Sequence, residues 1–195
     1  PDFKRGRDLP RYFEEKSTPL KGLSKNTWFI GTEKEMQLKN KLESKGSPLK
    51  NWDIDIDYGI KTGRNKVFII DKTKRDELIK KDERSEEMIK PILRGRNIER
   101  YNYDYDNEYI ILAYYGSNEI MKDKYGAIYN YLKSHKESLS QRGQCRYGGT
   151  GGKGQHHWLE LDNNPSKDYL KKFEKKKIAW GNISYKSQFC FSGSG

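Results

Sequence analysis

The chain has 195 residues, enough for one domain or for one domain with a lead-in arm. Lys and Arg number 39 against 28 Asp and Glu, a formal charge of +11, which points to nucleic acid or an anionic membrane surface as partner; an AT-rich genome, with its lysine codons, is the competing source of the charge. No stretch approaches the roughly 20 apolar residues that span a bilayer, no signal-peptide pattern opens the chain, and the two cysteines, Cys145 and Cys190, give no disulfide framework and fit a reducing cytoplasm.

Residues 1–25 are polar and broken by Pro10 and Pro19, and read as an arm or linker. Trp28-Phe29-Ile30 reads as a short apolar strand or anchor. Thr32 with Glu35 three residues later is a capping box, so a helix is predicted from there to about Ser44, ended by Gly46. Met36, Leu38 and Leu42 give that helix only a thin apolar stripe. From Leu49 to Asp57, Trp52, Ile54 and Ile56 alternate with Asp53, Asp55 and Asp57, a period of two that predicts a half-buried strand. The aspartates are no EF-hand, because Tyr58 and Arg64 stand where that loop needs its Gly and its closing Glu.

After the Gly59–Lys66 loop, Val67 to Ile70 reads as a strand. Lys74 to Leu93 reads as one or two helices with Leu78, Ile79, Met88 and Ile92 inward, and Tyr109 to Tyr115 as a buried strand. Lys124 to Leu139 reads as helix, with Ile128, Tyr131 or Leu132, and Leu139 on its apolar side. Residues 141–157 are predicted as loop, Trp158 to Leu161 as a short strand and Tyr169 to Phe173 as a helical turn. Lys177 to Ser184 and Gln188 to Phe191 are predicted strands, paired through Tyr185-Lys186-Ser187. Helices and strands mix without a regular βαβ rhythm, which predicts an α+β fold with mixed, twisted β-sheets and flanking helices. The chain stops at Gly195 directly after a strand, as a cut inside a longer protein would leave it.

Two segments put a basic, glycine-containing turn beside an apolar run: Gly59 to Asp71 and Lys90 to Tyr101. Lys61, Arg64, Lys66, Arg94 and Arg96 are the candidate phosphate ligands. The stretch Gln141 to His157 carries six glycines, which predicts a mobile loop that orders on DNA, or else a solvated insert without a role. Arg142, Gln144, Arg146, Lys153, Gln155 and His156 are its candidate base readers, since Arg pairs with guanine and Gln with adenine through two hydrogen bonds each.

Other chemistries fail on spacing. A phosphate-binding loop would need Gly at Tyr147 and a hydroxyl at Gly154. Cys145, His156 and His157 lack a fourth zinc ligand nearby. Phe191-Ser192-Gly193-Ser194-Gly195 has no following helix or ribose-binding acid, so it reads as a glycine turn rather than a cofactor loop. No nucleophile–base pair stands at a recognisable spacing, so no catalytic, cofactor or metal residue is assigned.

Gly59-Ile60-Lys61-Thr62-Gly63-Arg64-Asn65-Lys66-Val67-Phe68-Ile69-Ile70-Asp71 resembles the entry motif of the TaqI-like specificity domain, the target recognition domain of adenine-N6 DNA methyltransferases. Ile89 to Ile98 resembles its second block, and Ala127 to Leu132 with His135-Lys136 and Leu139 to Arg142 its third. Trp158 to Leu161, and Phe173 to Ile178 through Asn182-Ile183-Ser184, resemble the closing blocks. The blocks follow in the family's order over residues 28–195. Tyr125-Gly126 replaces a frequent Tyr-Pro, Trp158-Leu159 a frequent Trp-Tyr, and the glycine-rich loop is longer, differences that bear on loop geometry and target sequence. Asn164-Pro165-Ser166 lacks the second proline and the aromatic of the methyltransferase Asn-Pro-Pro-Tyr motif.

The resemblance implies that residues 26–195 are a DNA target recognition domain truncated at its C-terminus, and that residues 1–25 link it to an upstream methyltransferase domain. The implied function is sequence-specific recognition of double-stranded DNA for a site-specific adenine-N6 methyltransferase in a type IIG-like restriction–modification system of the bacterial cytoplasm. The fragment itself would be no enzyme. Its partners would be duplex DNA and the methyltransferase domain in cis, and the isolated domain would be a monomer. The parent enzyme would use S-adenosylmethionine, with Mg2+ a second candidate. Four alternatives stay open: a type I specificity subunit, a phage-defence methyltransferase with no nuclease as the parent, an RNA-binding module that stacks bases on exposed aromatics, and an enzyme such as a nuclease.

Overall fold

The computed structural model describes residues 8–17, 25, 28–182 and 185–193. The chain divides into two compact units, Pro1–Tyr58 and Gly59–Gly195. Helices and small antiparallel sheets are mixed without βαβ units, which makes the fold α+β.

The first unit holds α1 (Leu9–Lys16), which falls within the stretch expected to be an arm, and α2 (Glu33–Lys45). The capping box forms: Glu35 N donates to Thr32 Oγ1 at 3.4 Å, and Thr32 N donates to Glu35 Oε2 at 2.7 Å. Gly46 ends the helix, its N–H donating to Leu42 O. No residue of α2 is buried, as its thin stripe implies. Two expected strands of this unit do not form. Trp28-Phe29-Ile30 is irregular, and at 49–57 a 3-10 turn, Leu49–Asn51, precedes a bend and irregular chain on which Trp52, Ile54 and Ile56 stand exposed. Alternation describes a strand's two faces but supplies no neighbour for its hydrogen bonds.

The second unit is built on a three-stranded antiparallel sheet with β1 (Ile69–Asp71) and β2 (Ile89–Pro91) on either side of β3 (Glu108–Ile111). Ile69 faces Ile110 and Asp71 faces Glu108 on one side of β3; Ile89 faces Ile111 and Pro91 faces Tyr109 on the other. The expected strand at Val67–Ile70 is displaced by a helical turn, α3 (Asn65–Phe68). Thr62 Oγ1 donates to Asn65 Oδ1 and accepts from Arg64 N, which winds the chain before it can extend. The predicted helix after Lys74 is α4 (Lys72–Lys81), a 3-10 turn at Glu83–Glu87, and then β2. Pro91, lacking an N–H, suits the edge strand it occupies.

Beyond the sheet come α5 (Asn118–Lys124), not foreseen, then α6 (Gly126–Ser134) and α7 (Lys136–Ser140), a near match to the predicted helix. Ile128, Leu132 and Leu139 are fully buried and pack with Phe68, Leu78 and Ile111 in one core. Each such side chain stabilises the fold by roughly 1.5–3 kcal/mol. Trp158 to Leu161 is a turn rather than a strand; Leu159 and Leu161 still enter the core, and Leu161 N donates to Ala113 O. A short helix, α9 (Lys167–Lys171), covers the predicted helical turn and is preceded in the chain by α8 (Gly143–Arg146). The predicted C-terminal strands form as β4 (Lys177–Trp180) and β5 (Phe189–Ser192), paired antiparallel. Ile183 and Ser184 of the closing block, and Ser194 and Gly195, lie outside the described residues.

Candidate nucleic-acid interface

Arg142 is the hub of the site. It is 5% exposed, and its guanidinium carbon lies 5.1 Å from the centre of the Phe68 ring. Nε donates to Leu139 O at 3.0 Å, and Nη2 to Trp158 O at 2.8 Å. Nη1 donates to Thr62 O at 2.9 Å and to Asp162 Oδ1 at 3.0 Å. Burial pulls the Arg142 pKa down, and the Asp162 carboxylate works against that pull. His156 is also buried, with Nε2 3.1 Å from Asp162 Oδ1 and Nδ1 2.9 Å from His157 O.

This geometry corrects two of the expected base readers and occupies a third. Arg142 and His156 face inward and spend their polar atoms on the protein. Gln144 is tied by its amide to Asn163: Nε2 donates to Oδ1 at 2.7 Å, and Asn163 N donates to Oε1 at 2.6 Å. A base edge would have to compete with partners already held at good geometry.

The loop itself is folded. Gln155 N donates to Gln144 O at 2.7 Å, Gly149 N to Lys153 O at 2.9 Å, and Gly148 bridges Gly154. Glycine was expected to supply mobility; at Gly154 it supplies closeness, since a Cβ there would collide with the carbonyl of Cys145. Gly63, in the facing turn, combines a left-handed φ of 64° with direct approach to the Asp162 carboxylate.

Both segments keep exposed polar side chains, several of them cationic. Arg146, Lys153 and Gln155 are exposed on the loop, and Lys61, Arg64 and Lys66 on the turn that Arg142 ties to it. Arg146 donates from Nη1 to Gln141 Oε1 at 2.9 Å, and its guanidinium lies 5.0 Å from the centre of the Tyr147 ring.

Arg94 and Arg96 are elsewhere. β1 and β2 both run antiparallel to β3, so the chain enters β1 at one end of the sheet and leaves β2 at the other. The five expected phosphate ligands are therefore split. Arg94 Nη1 is 3.4 Å from Glu108 Oε1, and Arg96 Nη2 is 3.0 Å from Glu108 Oε1 and 3.3 Å from Asp106 Oδ2. The Asn97 amide, and then Arg96, hold the Asp106 carboxyl below its usual range, so the turn is substantially self-neutralised.

Sequence reasoning missed Asp162, Thr62 and Glu160. Glu160 is buried and accepts from Gly116 N at 2.7 Å and His157 N at 3.2 Å, bracing the base of the loop. A carboxylate flanked by Leu159 and Leu161 was the available signal for a buried anchor. Among the described residues no group of three His, Cys, Asp or Glu is placed to hold a metal ion, and no helix is long and apolar enough to cross a membrane. No protein-family model matches the chain, and no curated protein matches its sequence.

Proposed function

We propose that residues 59–195 form a sequence-specific double-stranded DNA recognition domain, serving a site-specific adenine-N6 methyltransferase of a type IIG-like restriction–modification system. The observation that carries this is the Arg142 tie, which joins a basic turn to a basic, amide-bearing loop far away in sequence. Charge is consistent with it: 27 of the 39 basic and 18 of the 28 acidic residues lie in 59–195, a net of +9. Arg64 and Lys66, with Lys61, would hold phosphates; Arg146, Lys153 and Gln155 would read base edges in the major groove. S-adenosylmethionine and any Mg2+ would belong to the parent's other domains, as would the methyl transfer. Phe191 and Ser192 lie in β5, Ser192 opposite Lys177.

The test is selection of bound duplexes from a randomised pool at two salt concentrations, with wild type and Arg146→Ala. A short consensus that loses information at one position in the variant is expected, since one bidentate contact is worth ~1–3 kcal/mol of discrimination. An unchanged consensus in Arg146→Ala removes the loop from base reading. No duplex binding at low salt removes the function.

A further inference from the structure

The β4–β5 hairpin breaks the usual rule for a two-faced antiparallel ribbon. Such a ribbon turns polar side chains to solvent and apolar ones to the core. Here Cys190 is buried on the inner face, while the outer face carries Ile178, Trp180, Phe189 and Phe191, each 43–63% exposed. Register makes this one continuous surface: Ile178 faces Phe191 and Trp180 faces Phe189, two steps apart on both strands. The Trp180 and Phe189 ring centres are 6.2 Å apart at 42°, a tilted pair with both side chains well exposed.

Cations border this surface. Lys175 and Lys176 are exposed and lead into β4. On the far edge of β5, Tyr101 N donates to Phe189 O at 2.8 Å, which sets an exposed Tyr101 beside the aromatic face with the Arg100 guanidinium 5.3 Å from its ring centre. Tyr101 holds a φ of 70°, unusual for an aromatic residue, so its place is fixed at a cost. The Arg94-Gly95-Arg96 turn adjoins the same Trp180–Phe189 end of the ribbon, where a Cβ on Gly95 would lie 3.3 Å from Gly181 Cα, but its arginines are held by Glu108 and Asp106 and add little to the cationic border. Residues 174–193 carry Lys175, Lys176, Lys177 and Lys186 against Glu174 alone.

We propose that this face is a stacking platform for unpaired bases of single-stranded DNA, distinct from the Arg64–Arg146 surface. A duplex offers only base edges, whereas exposed aromatic side chains bordered by cations match bases that expose their own faces along a phosphate backbone. The platform stands on the hairpin's geometry; the choice of DNA over RNA rests on the duplex function proposed above.

The experiment is fluorescence anisotropy with the full chain and a labelled oligothymidylate of about 12 nucleotides, a length within the range for such sites. The same titrations use oligouridylate and a duplex, for wild type, Trp180→Phe, Trp180→Leu and Phe191→Leu. The expected result is roughly tenfold weaker oligothymidylate binding in each leucine variant, near wild-type binding in Trp180→Phe, and unchanged duplex affinity. Leucine keeps apolar area without a π face, so equal binding by Trp180→Leu overturns stacking. Tighter binding of oligouridylate overturns DNA as the occupant. An equal loss on duplex merges the face with the duplex interface and overturns a separate site. A wild-type dimer dissolved by Trp180→Leu in sedimentation assigns the face to a second copy and overturns the proposal. Failure of the duplex function is read independently, from wild type on duplex alone.

Discussion

Arg142 reaches across 80 residues of sequence to the carbonyl oxygen of Thr62, donating from Nη1 at 2.9 Å. The same nitrogen serves Asp162, so one buried cation fixes the basic turn, the glycine-rich loop and the segment that follows it. Arg142→Met leaves the Asp162 carboxylate without its main partner, and the cost is expected at about 3 kcal/mol by urea denaturation. Adding Asp162→Asn should recover part of that loss, because the unpaired charge is then gone. Arg142→Lys should remain clearly destabilised, since a point charge cannot address three carbonyls and a carboxylate as a planar fork does.

Gly63→Ala tests the approach of turn to loop. The left-handed φ alone costs about 1–2 kcal/mol for an L side chain, and the new methyl displaces Asp162. Gly59→Ala, which meets open space, is the control and should stay within about 0.5 kcal/mol of wild type. Equal urea midpoints for the two variants would sink the close-approach account.

Arg64→Ala and Lys66→Ala should leave stability unchanged and each lower the log–log salt slope of duplex binding by about 0.9. Arg94→Ala and Arg96→Ala should change it less, because Glu108 and Asp106 already neutralise that turn. The measurement is duplex affinity across a salt series; a larger effect at Arg94 or Arg96 would move the phosphate contacts to the other end of the sheet.

Acid should weaken the second unit partly through Glu77. Hydrogen bonds from Lys74 and Lys81 hold its carboxyl down to about 2, from 4.5. A depressed carboxyl stabilises the fold above its unfolded value, and that contribution is lost as pH falls from about 4.5 through 2. Glu77→Gln should therefore flatten the fall in urea midpoint between pH 5 and 3 in denaturation carried out at constant salt. The side chains are well exposed, so the effect should be small and should shrink as salt is added.

Local chemistry was legible in the sequence. The Thr32–Glu35 box, the stripe of Ile128 and Leu139 with its middle place open between Tyr131 and Leu132, and the β4–β5 pairing depend on neighbours a few residues away or on one short connection. The failures share a cause. Val67–Phe68 and Trp158–Leu161 are apolar runs read as strands, whose backbone is set instead by Thr62, Asn65 and a distant carbonyl at Ala113. At Trp52 to Ile56 the alternating pattern was present and no strand formed. For the candidate site, composition located the loop but not its direction. Arg142 and Arg146 are the same residue type four positions apart, one buried and one exposed, and only contacts from outside the loop separate them.

That separation has an evolutionary side. The residues that keep the loop standing, Arg142, Asp162 and His156, differ from those it presents, Arg146, Lys153 and Gln155. The presented set can drift or be randomised without touching the frame, so, on the DNA-reading function proposed above, new target preferences would be reachable by single steps through folded proteins. A display library varied at those three positions alone would consist mostly of well-folded members, and its selectable diversity would be limited by chemistry at the DNA rather than by stability.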